Sequence, residues 1–411
     1  VVEQLIERWA GPAMAQAMSD TRVVYVMGAR QVGKSTLVTG YADQEDLPPV
    51  LTLDNKAIRD TALADPSGFL AGLPRPVMLD EVQRAPDLLL SIKEAVDKDT
   101  SPGQFLLTGS SNVRTNRKVK DALTGRMEII TLWPLAQAEI HKSDNVVDAL
   151  FAGQPPLVSN APIGRSAFAT EVAQGGFPEA IRRPANRRSH WLRDYLDTTL
   201  DRDLRDVSDA LKLDEVPRLL RLVATQTAGL VNYSSLASRT GINQATVRSY
   251  LELLETVFLV HRLPAWRPGL AAREVHAPKI HLVDSALLLY LLGANESRLG
   301  HDDQITGKAL ESFVVMEVIK QASAALAEPR AHHYRANRDE VDLVLETRDG
   351  QIVGIEVKAS ATPQPADRRA LTKLRDMAGA SFKAGVVVYS GAHTIPLGDR
   401  LWALPISGLW A

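Results

Sequence analysis

The stretch Val23-Val24-Tyr25-Val26-Met27-Gly28-Ala29-Arg30-Gln31-Val32-Gly33-Lys34-Ser35-Thr36 decides how this chain is read. Its first five residues are apolar and mostly β-branched, the pattern of a buried strand. Residues Gly28 to Ser35 then match G-x-x-x-x-G-K-[ST] in full. In such a loop the glycines let backbone N–H groups turn inward around phosphate oxygens, Lys34 extends to the terminal phosphates, and Ser35 is placed to ligand Mg2+. Ser35 to Tyr41 reads as a helix, so the loop stands between a strand and a helix. A Gly-rich strand–helix turn with an incidental Lys-Ser is the structural alternative. The expected nucleotide contacts are Gly28, Arg30, Gln31, Val32, Gly33, Lys34, Ser35 and Thr36.

Working outward, Val50–Leu53, Val77–Leu79, Phe105–Leu107 and Met127–Leu132 are further short apolar runs, with helical stretches such as Leu88–Asp97 between several of them. Strands alternating with helices predict an α/β domain with a mostly parallel sheet. Met78-Leu79-Asp80-Glu81 ends a strand in two acids: Asp80 is expected to hold Mg2+ through water, and Glu81 to polarise the attacking water. At the end of Phe105-Leu106-Leu107-Thr108-Gly109-Ser110-Ser111-Asn112, Ser110 or Asn112 could bond that water or the terminal phosphate; an ordinary capped turn is the other reading. A cation is also expected to face the developing charge. Arg126, Arg202 and Arg205 are the candidates, each set against the reading of a surface arginine.

The 411 residues suffice for two to four domains, at the ~100–200 residues per domain typical of globular chains. With 47 Lys and Arg against 49 Asp and Glu, any nucleic-acid contact must come from local patches rather than bulk charge. The absence of cysteine excludes disulfides, thiolate metal sites and cysteine nucleophiles. No apolar run approaches the ~18 residues needed to span a bilayer. Val1–Met18 reads as an amphipathic helix rather than a signal peptide, so a cytoplasmic protein without membrane contact is expected.

Further along, Asp144–Pro184 is punctuated by prolines and reads as a link, and Trp191–Val207 as a charge-dense helix. Ser234–Leu254 reads as a helix-turn-helix capped by Ser234-Ser235 and Asn243, with candidate strands Phe258–Leu263 and Lys279–Val283 completing a wing. Arg239, Asn243, Gln244, Thr246 and Arg248 could meet a DNA groove, or the module could serve only as packing. Two basic clusters, Arg114–Lys120 and Arg182 to Arg188, are channel candidates or solvated loops.

The C-terminal part contains Glu340-Val341-Asp342 and Ile355-Glu356-Val357-Lys358. Glu356 and Lys358 project from one face of a strand. A two-residue turn at Asp349-Gly350 would leave Asp342 facing away from Glu356. A three-residue loop, with Gly350 left-handed, sets Asp342 opposite Glu356, and that loop is predicted. Asp342 and Glu356 could then ligand a divalent cation, with Glu311 from the preceding helix completing the shell and Lys358 orienting a water. The alternative is a cross-strand salt bridge on a solvated face.

On these residues the chain resembles bacterial and archaeal AAA-type ATPases that carry a winged-helix module and a C-terminal PD-(D/E)XK, restriction-endonuclease-like domain. Gly125-Arg126, Gly175-Gly176-Phe177-Pro178-Glu179 and Ala359-Ser360 add to the likeness, while Val341 departs from the usual proline. The resemblance implies an α/β architecture of four consecutive parts: an ATPase domain at 1–150, a helical lid at 151–227, a winged helix at 228–300 and a nuclease-like domain at 301–411. It also implies ATP and Mg2+ as cofactors, with Mn2+ an alternative at the C-terminal site. The partner it implies is nucleic acid, DNA before RNA, and the assembly a homo-oligomeric ring with a hexamer expected. A regulatory ATPase that binds without cleaving, and a DNA-binding regulator, are the competing functions.

Overall fold

The computed structural model describes residues 5–112, 125–207, 213–268, 276–336 and 339–411. The basic run at Arg114–Lys120 lies outside them. The chain forms two compact units that interleave along the sequence. Val1–Trp133, Tyr195–Leu213 and Ser249–Leu259 make the first; Pro134–Asp194, Asp214–Arg248 and Val260–Ala411 make the second.

In the first unit, β1 (Val23–Met27), β2 (Leu51–Thr52), β3 (Val77–Asp80), β4 (Phe105–Gly109) and β5 (Met127–Thr131) form one sheet in the order β2-β3-β4-β1-β5. All pairings are parallel. Every residue of β1, β3 and β4 is buried, as continuous apolar runs in a parallel sheet require. Parallel packing gathers the C-terminal strand ends on one edge, where Met27 is level with Gly109 and Thr131, and Thr52 with Asp80. The N-terminal helix spans Ala10–Asp20, later than the pattern predicted. The charge-dense helix starts at Ala185, runs to Thr198, passes through a π-helical turn at Thr199–Asp203 and ends in Leu204–Val207.

The second unit contains a three-stranded antiparallel sheet, β6 (Gly229–Leu230), β7 (Val260–Leu263) and β8 (Lys279–Leu282), in the order β6-β8-β7. The helix Tyr233–Thr240 is capped by Asn232, whose side chain accepts from Ser235 N, and not by the serines themselves. Asn243 does cap the next helix, Gln244–Thr256, by accepting from Thr246 N at 2.8 Å. The span Asp144–Pro184 holds several short helices in place of an irregular link.

A six-stranded sheet completes this unit: β9 (Arg330–Ala336), β10 (Asp339–Glu346), β11 (Ile352–Lys358), β12 (Phe382–Tyr389), β13 (Ile395–Gly398) and β14 (Leu401–Pro405), ordered β13-β14-β12-β11-β10-β9. The long helix Asp303–Ala322 is buried on most of its surface, and it carries Glu317 and Gln321 into the interior. Glu317 accepts from Gln137 N at 2.9 Å, and Gln321 accepts from Val146 N at 3.0 Å. These bonds to backbone donors fasten the Pro134–Phe151 segment within the second unit.

Candidate functional site

The phosphate loop leaves the buried end of β1. A Cβ on Gly28 would stand 2.1 Å from Leu132 O, so only glycine permits the chain to pass this close to the end of β5. Gln31 and Gly33 both adopt positive φ, 62° and 99°, the kind of backbone that turns consecutive N–H groups toward one point. The side chains of Ala29 and Val32 are buried beneath it. Arg8 pins the loop from behind, donating to Val32 O and to Trp133 O, each at 2.7 Å. Arg30 projects sideways and donates to Asp203 Oδ1 at 3.0 Å. Thr36 is exposed on the first turn of the helix Lys34–Gln44.

Lys34 is buried, and its Nζ donates to Gly28 O at 3.0 Å and Ala29 O at 2.9 Å. Burial lowers its pKa, while Glu81, Asp80 and Asp203 oppose that shift. Ser35 Oγ donates to both carboxylate oxygens of Asp80 at 3.0 Å, and Thr108 Oγ1 donates to Asp80 Oδ1. A hydroxyl and a carboxylate at one point, with an ammonium beside them, form a hard-oxygen donor set that fits Mg2+ and a triphosphate.

Glu81 follows β3 in left-handed backbone, φ 59°. Its Oε2 accepts from Gln83 Nε2 and from Ser110 Oγ, the latter at 3.2 Å, and Gln83 also donates to Ser110 at 2.9 Å. Ser110 therefore orients Glu81 here rather than standing alone, and Asn112 is engaged through its backbone N–H with Thr256 O at 2.7 Å. Among the candidate arginines, Arg126 sits at the N-terminal end of β5, the sheet edge opposite the loop, and pairs with Asp97. It is not part of this chain's own phosphate site. Arg202 lies on the π-turn next to Asp203 and approaches Asp54, which Arg84 also pairs, at the loop edge. Arg205 is exposed.

The C-terminal residues meet around a cavity of about 650 Å3 in the second unit, lined by Glu311, Glu340, Asp342, Glu356 and Lys358 among others. Leu343 pairs with Ile355 and Glu346 with Ile352, a register that continues to Asp342 opposite Glu356. Thr347 N donates to Gln351 O, which closes the predicted three-residue loop, and Gly350 has φ 82°. A bulge against β9 between Val341 and Val344 turns Asp342 into the cavity. Lys358 donates to Glu356 Oε1 at 2.6 Å, and the buried Glu356 Oε2 has no hydrogen-bond partner among the described residues. Burial and then the Asp342 charge push Glu356 up to about 8.

A residue outside the expected set organises this cluster. Lys279, on β8, is 1% exposed, and its Nζ lies 2.6 Å from Glu311, 2.7 Å from Glu340 and 2.9 Å from Asp342. Burial pulls its pKa down, but the carboxylates of Asp342, Glu311 and Glu340 outweigh it and leave the ammonium well above the ordinary lysine value. Burial works against the Asp342 charge as well, yet Lys279 holds that carboxyl below its usual range. Glu311 is raised by burial and by Asp342. Among the described residues no group of three or more His, Asp or Glu side chains is arranged to hold a metal ion. Of the expected divalent shell, Glu311 and Asp342 are bonded to the Lys279 ammonium, while Glu356 pairs with Lys358.

In the helix-turn-helix, Arg248 lies over the Tyr233 ring at 4.2 Å and Asn243 is used as a cap. No described helix is long and apolar enough to cross a membrane.

Three family models match this sequence. One described as an AAA domain covers residues 20–141; two described as domains of unknown function, DUF8612 and DUF4143, cover residues 165–298 and 306–409. The uncharacterized proteins Rv2008c of Mycobacterium tuberculosis and Mb2031c of Mycobacterium bovis are each 29% identical over 405 residues, 98% of this chain and 84% of the relative. A solved structure of AMPPCP-bound DnaA from Aquifex aeolicus overlaps at 13% identity and a TM-score of 0.25, covering 59% of this chain and 85% of that one. That score carries no weight for the fold. The AAA match and the parallel sheet with its phosphate loop together support an AAA-type P-loop ATPase domain in the N-terminal part of the chain.

Proposed function

We propose that this protein is a Mg2+-dependent ATPase of the AAA type. The observation that carries the reading is the convergence of Lys34, Ser35, Asp80 and Glu81 at one edge of the parallel sheet. Bound MgATP supplies the phosphorus to be attacked and the metal that offsets phosphate charge. Lys34, released from the loop carbonyls, donates to the terminal phosphates, while Ser35 and Asp80 hold the metal side of the nucleotide. Glu81 takes the proton of the attacking water, with Gln83 and Ser110 fixing its carboxylate. Arg202 offers a cation at the same edge, and Arg126, at the opposite edge, could act only on a neighbouring copy's nucleotide. The test is ATP hydrolysis by wild type, Lys34→Ala and Glu81→Gln. Turnover at the wild-type rate in Lys34→Ala would sink the assignment.

The finer reading is an ATPase that works as a homo-oligomeric ring, expected as a hexamer, on nucleic acid, DNA before RNA. Support for the ring and for DNA comes from the resemblance alone. For the C-terminal pocket we favour engagement of nucleic acid or a protein partner without cleavage, because Lys279 bonds two of the carboxylates expected to hold a metal. Cleavage is the second reading, motivated by the placement of Asp342 opposite Glu356 beside Lys358. Incubating wild type and Lys358→Ala with circular DNA, linear DNA and RNA, with Mg2+ or Mn2+ and with or without ATP, separates the two. Cleavage by wild type that Lys358→Ala loses would favour the nuclease.

A further inference from the structure

We propose that Lys279 is a tethered cation that occupies the divalent-ion position of the nuclease-like carboxylate cluster, so that the C-terminal pocket is built to be metal-free. The proposal rests on the reading of the pocket as nuclease-like and is independent of ATP hydrolysis at the phosphate loop.

Divalent ions sit about 2.0–2.6 Å from oxygen ligands. Lys279 Nζ already lies within 2.6–2.9 Å of Glu311, Glu340 and Asp342. An ion at bonding distance from the same oxygens would overlap the ammonium, so the two occupants exclude one another.

Lys279 is hydrogen-bonded in the middle strand of its sheet, level with Leu230 on β6 and Leu263 on β7. Ala228 N donates to Ile280 O and Val231 N to Pro278 O, closing one side. The other side continues into the large sheet, where Ala265 bridges His333, Trp266 N donates to His333 O and His333 N donates to Pro264 O. A lysine on a flexible loop could retract to admit a metal. This one is held by backbone ladders on both flanks, and its stem is closed off from water. The ladders fix the Cα of Lys279, so Nζ could leave the carboxylates only by rotation of its buried stem.

Three carboxylates around a single buried site cannot remain ionised without a compensating cation. Lys279 provides it from within the chain, and the separate Lys358–Glu356 contact at 2.6 Å occupies the remaining ammonium and one carboxylate oxygen of the cluster. Two ammoniums thus offset part of the charge of the four carboxylates Glu311, Glu340, Asp342 and Glu356 without any metal.

The test uses the full chain without nucleotide and follows Mn2+ binding by the loss of its free-ion EPR signal, together with thermal unfolding with and without Mn2+. Wild type and Asp342→Asn are expected to bind Mn2+ equally, with no site assigned to the pocket. Lys279→Met removes the ammonium and keeps the stem. It should gain one Mn2+ site at least tenfold tighter than any in wild type, with a rise in melting temperature on adding Mn2+, and both should vanish in Lys279→Met/Asp342→Asn. A pocket site in wild type that Asp342→Asn removes would overturn the proposal, as would a folded Lys279→Met that gains no Mn2+. Should Lys279→Met not fold, Fe2+-directed backbone cleavage of wild type decides: cuts near residues 340–358 overturn the proposal, and their absence supports it. None of these readouts depends on ATP turnover, so failure here leaves the ATPase reading standing, and failure of the Lys34→Ala test leaves this one.

Discussion

Arg30 of the phosphate loop is tied to Asp203, a buried acid on a π-helical turn far along the chain, with 3.0 Å between guanidinium and carboxylate. A π-turn inserts one extra residue per turn and commonly marks a functional position in a helix. Here it sets Asp203 beneath the loop and leaves Arg202 half-exposed at the same edge. Asp203→Ala is expected to cost about 1.5–3 kcal/mol of stability, the range for a lost hydrogen bond to a charged group. It should also raise KM for ATP, because the loop loses a lateral support. Urea unfolding and steady-state kinetics check both parts; a loss of stability with unchanged KM would reduce the pair to a structural contact.

Glu81 is held in an uncommon left-handed backbone and by two side chains, Gln83 and Ser110. Replacing Glu81 by Gln removes the base and should lower kcat by about 10²–10⁴-fold, the usual worth of general-base catalysis, with nucleotide affinity kept. Gln83→Leu leaves the base but frees its orientation, so kcat should fall by less than in Glu81→Gln while KM stays near wild type. An equal fall in both variants, or an effect confined to KM, would place Gln83 in nucleotide binding instead.

The legible part of the sequence was the part whose chemistry is local. The phosphate loop, Asp80 and the strand runs could be read because each depends on contiguous residues and a short period. The facing of Asp342 and Glu356 could be derived because a hairpin register follows from loop length. What stayed hidden depends on pairs remote in sequence. Lys279 carried one faint signal, a lysine opening the candidate strand Lys279–Val283, but nothing local says that it meets Glu311, Glu340 and Asp342. Asp203 looked like one more solvated charge on a charge-dense helix, and only the π-turn buries it. Glu317 and Gln321, polar groups buried against the backbone of residues 137–146, are another case of partners remote in sequence.

Glu356 should make stability fall as pH rises. Burial, followed by the charge of Asp342, lifts its pKa from 4.5 to about 8, while Lys358 and Lys279 oppose the shift. The folded state therefore keeps a proton that the unfolded chain releases, and stability declines with pH wherever the native state binds more protons. The contribution is fully present below about 4.5 and is lost as pH passes through about 8. Within that window one proton corresponds to a slope of up to about 1.4 kcal/mol per pH unit. Melting curves across the range, for wild type and Glu356→Gln, provide the check. Gln cannot ionise, so the decline should flatten in the variant; an unchanged slope would show that Glu356 is already ionised in the native protein.

The hairpin loop that sets the carboxylates opposite one another is itself testable. Gly350 stands at φ 82°, and the turn is closed by Gly350 N to Thr347 O and Thr347 N to Gln351 O, each at 3.0 Å. Gln351 N also donates to Thr347 Oγ1 at 3.0 Å, and Gln351 Nε2 to Asp349 Oδ2 at 2.7 Å, so loop shape and loop chemistry agree. Gly350→Val puts a β-branched side chain into left-handed backbone and should cost about 1–2 kcal/mol without touching the pocket. Shortening Arg348-Asp349-Gly350 to a two-residue Asn-Gly turn is a stronger intervention, because a one-residue slip turns every side chain of one strand to the other face. Asp342 and the buried Leu343, Val344 and Leu345 would all exchange faces relative to β11. The shortened chain is expected to lose the cooperative unfolding transition of its second unit, while Gly350→Val keeps it at a lower midpoint. If the two variants unfold alike, the register is fixed by the packing of the sheet and not by its loop.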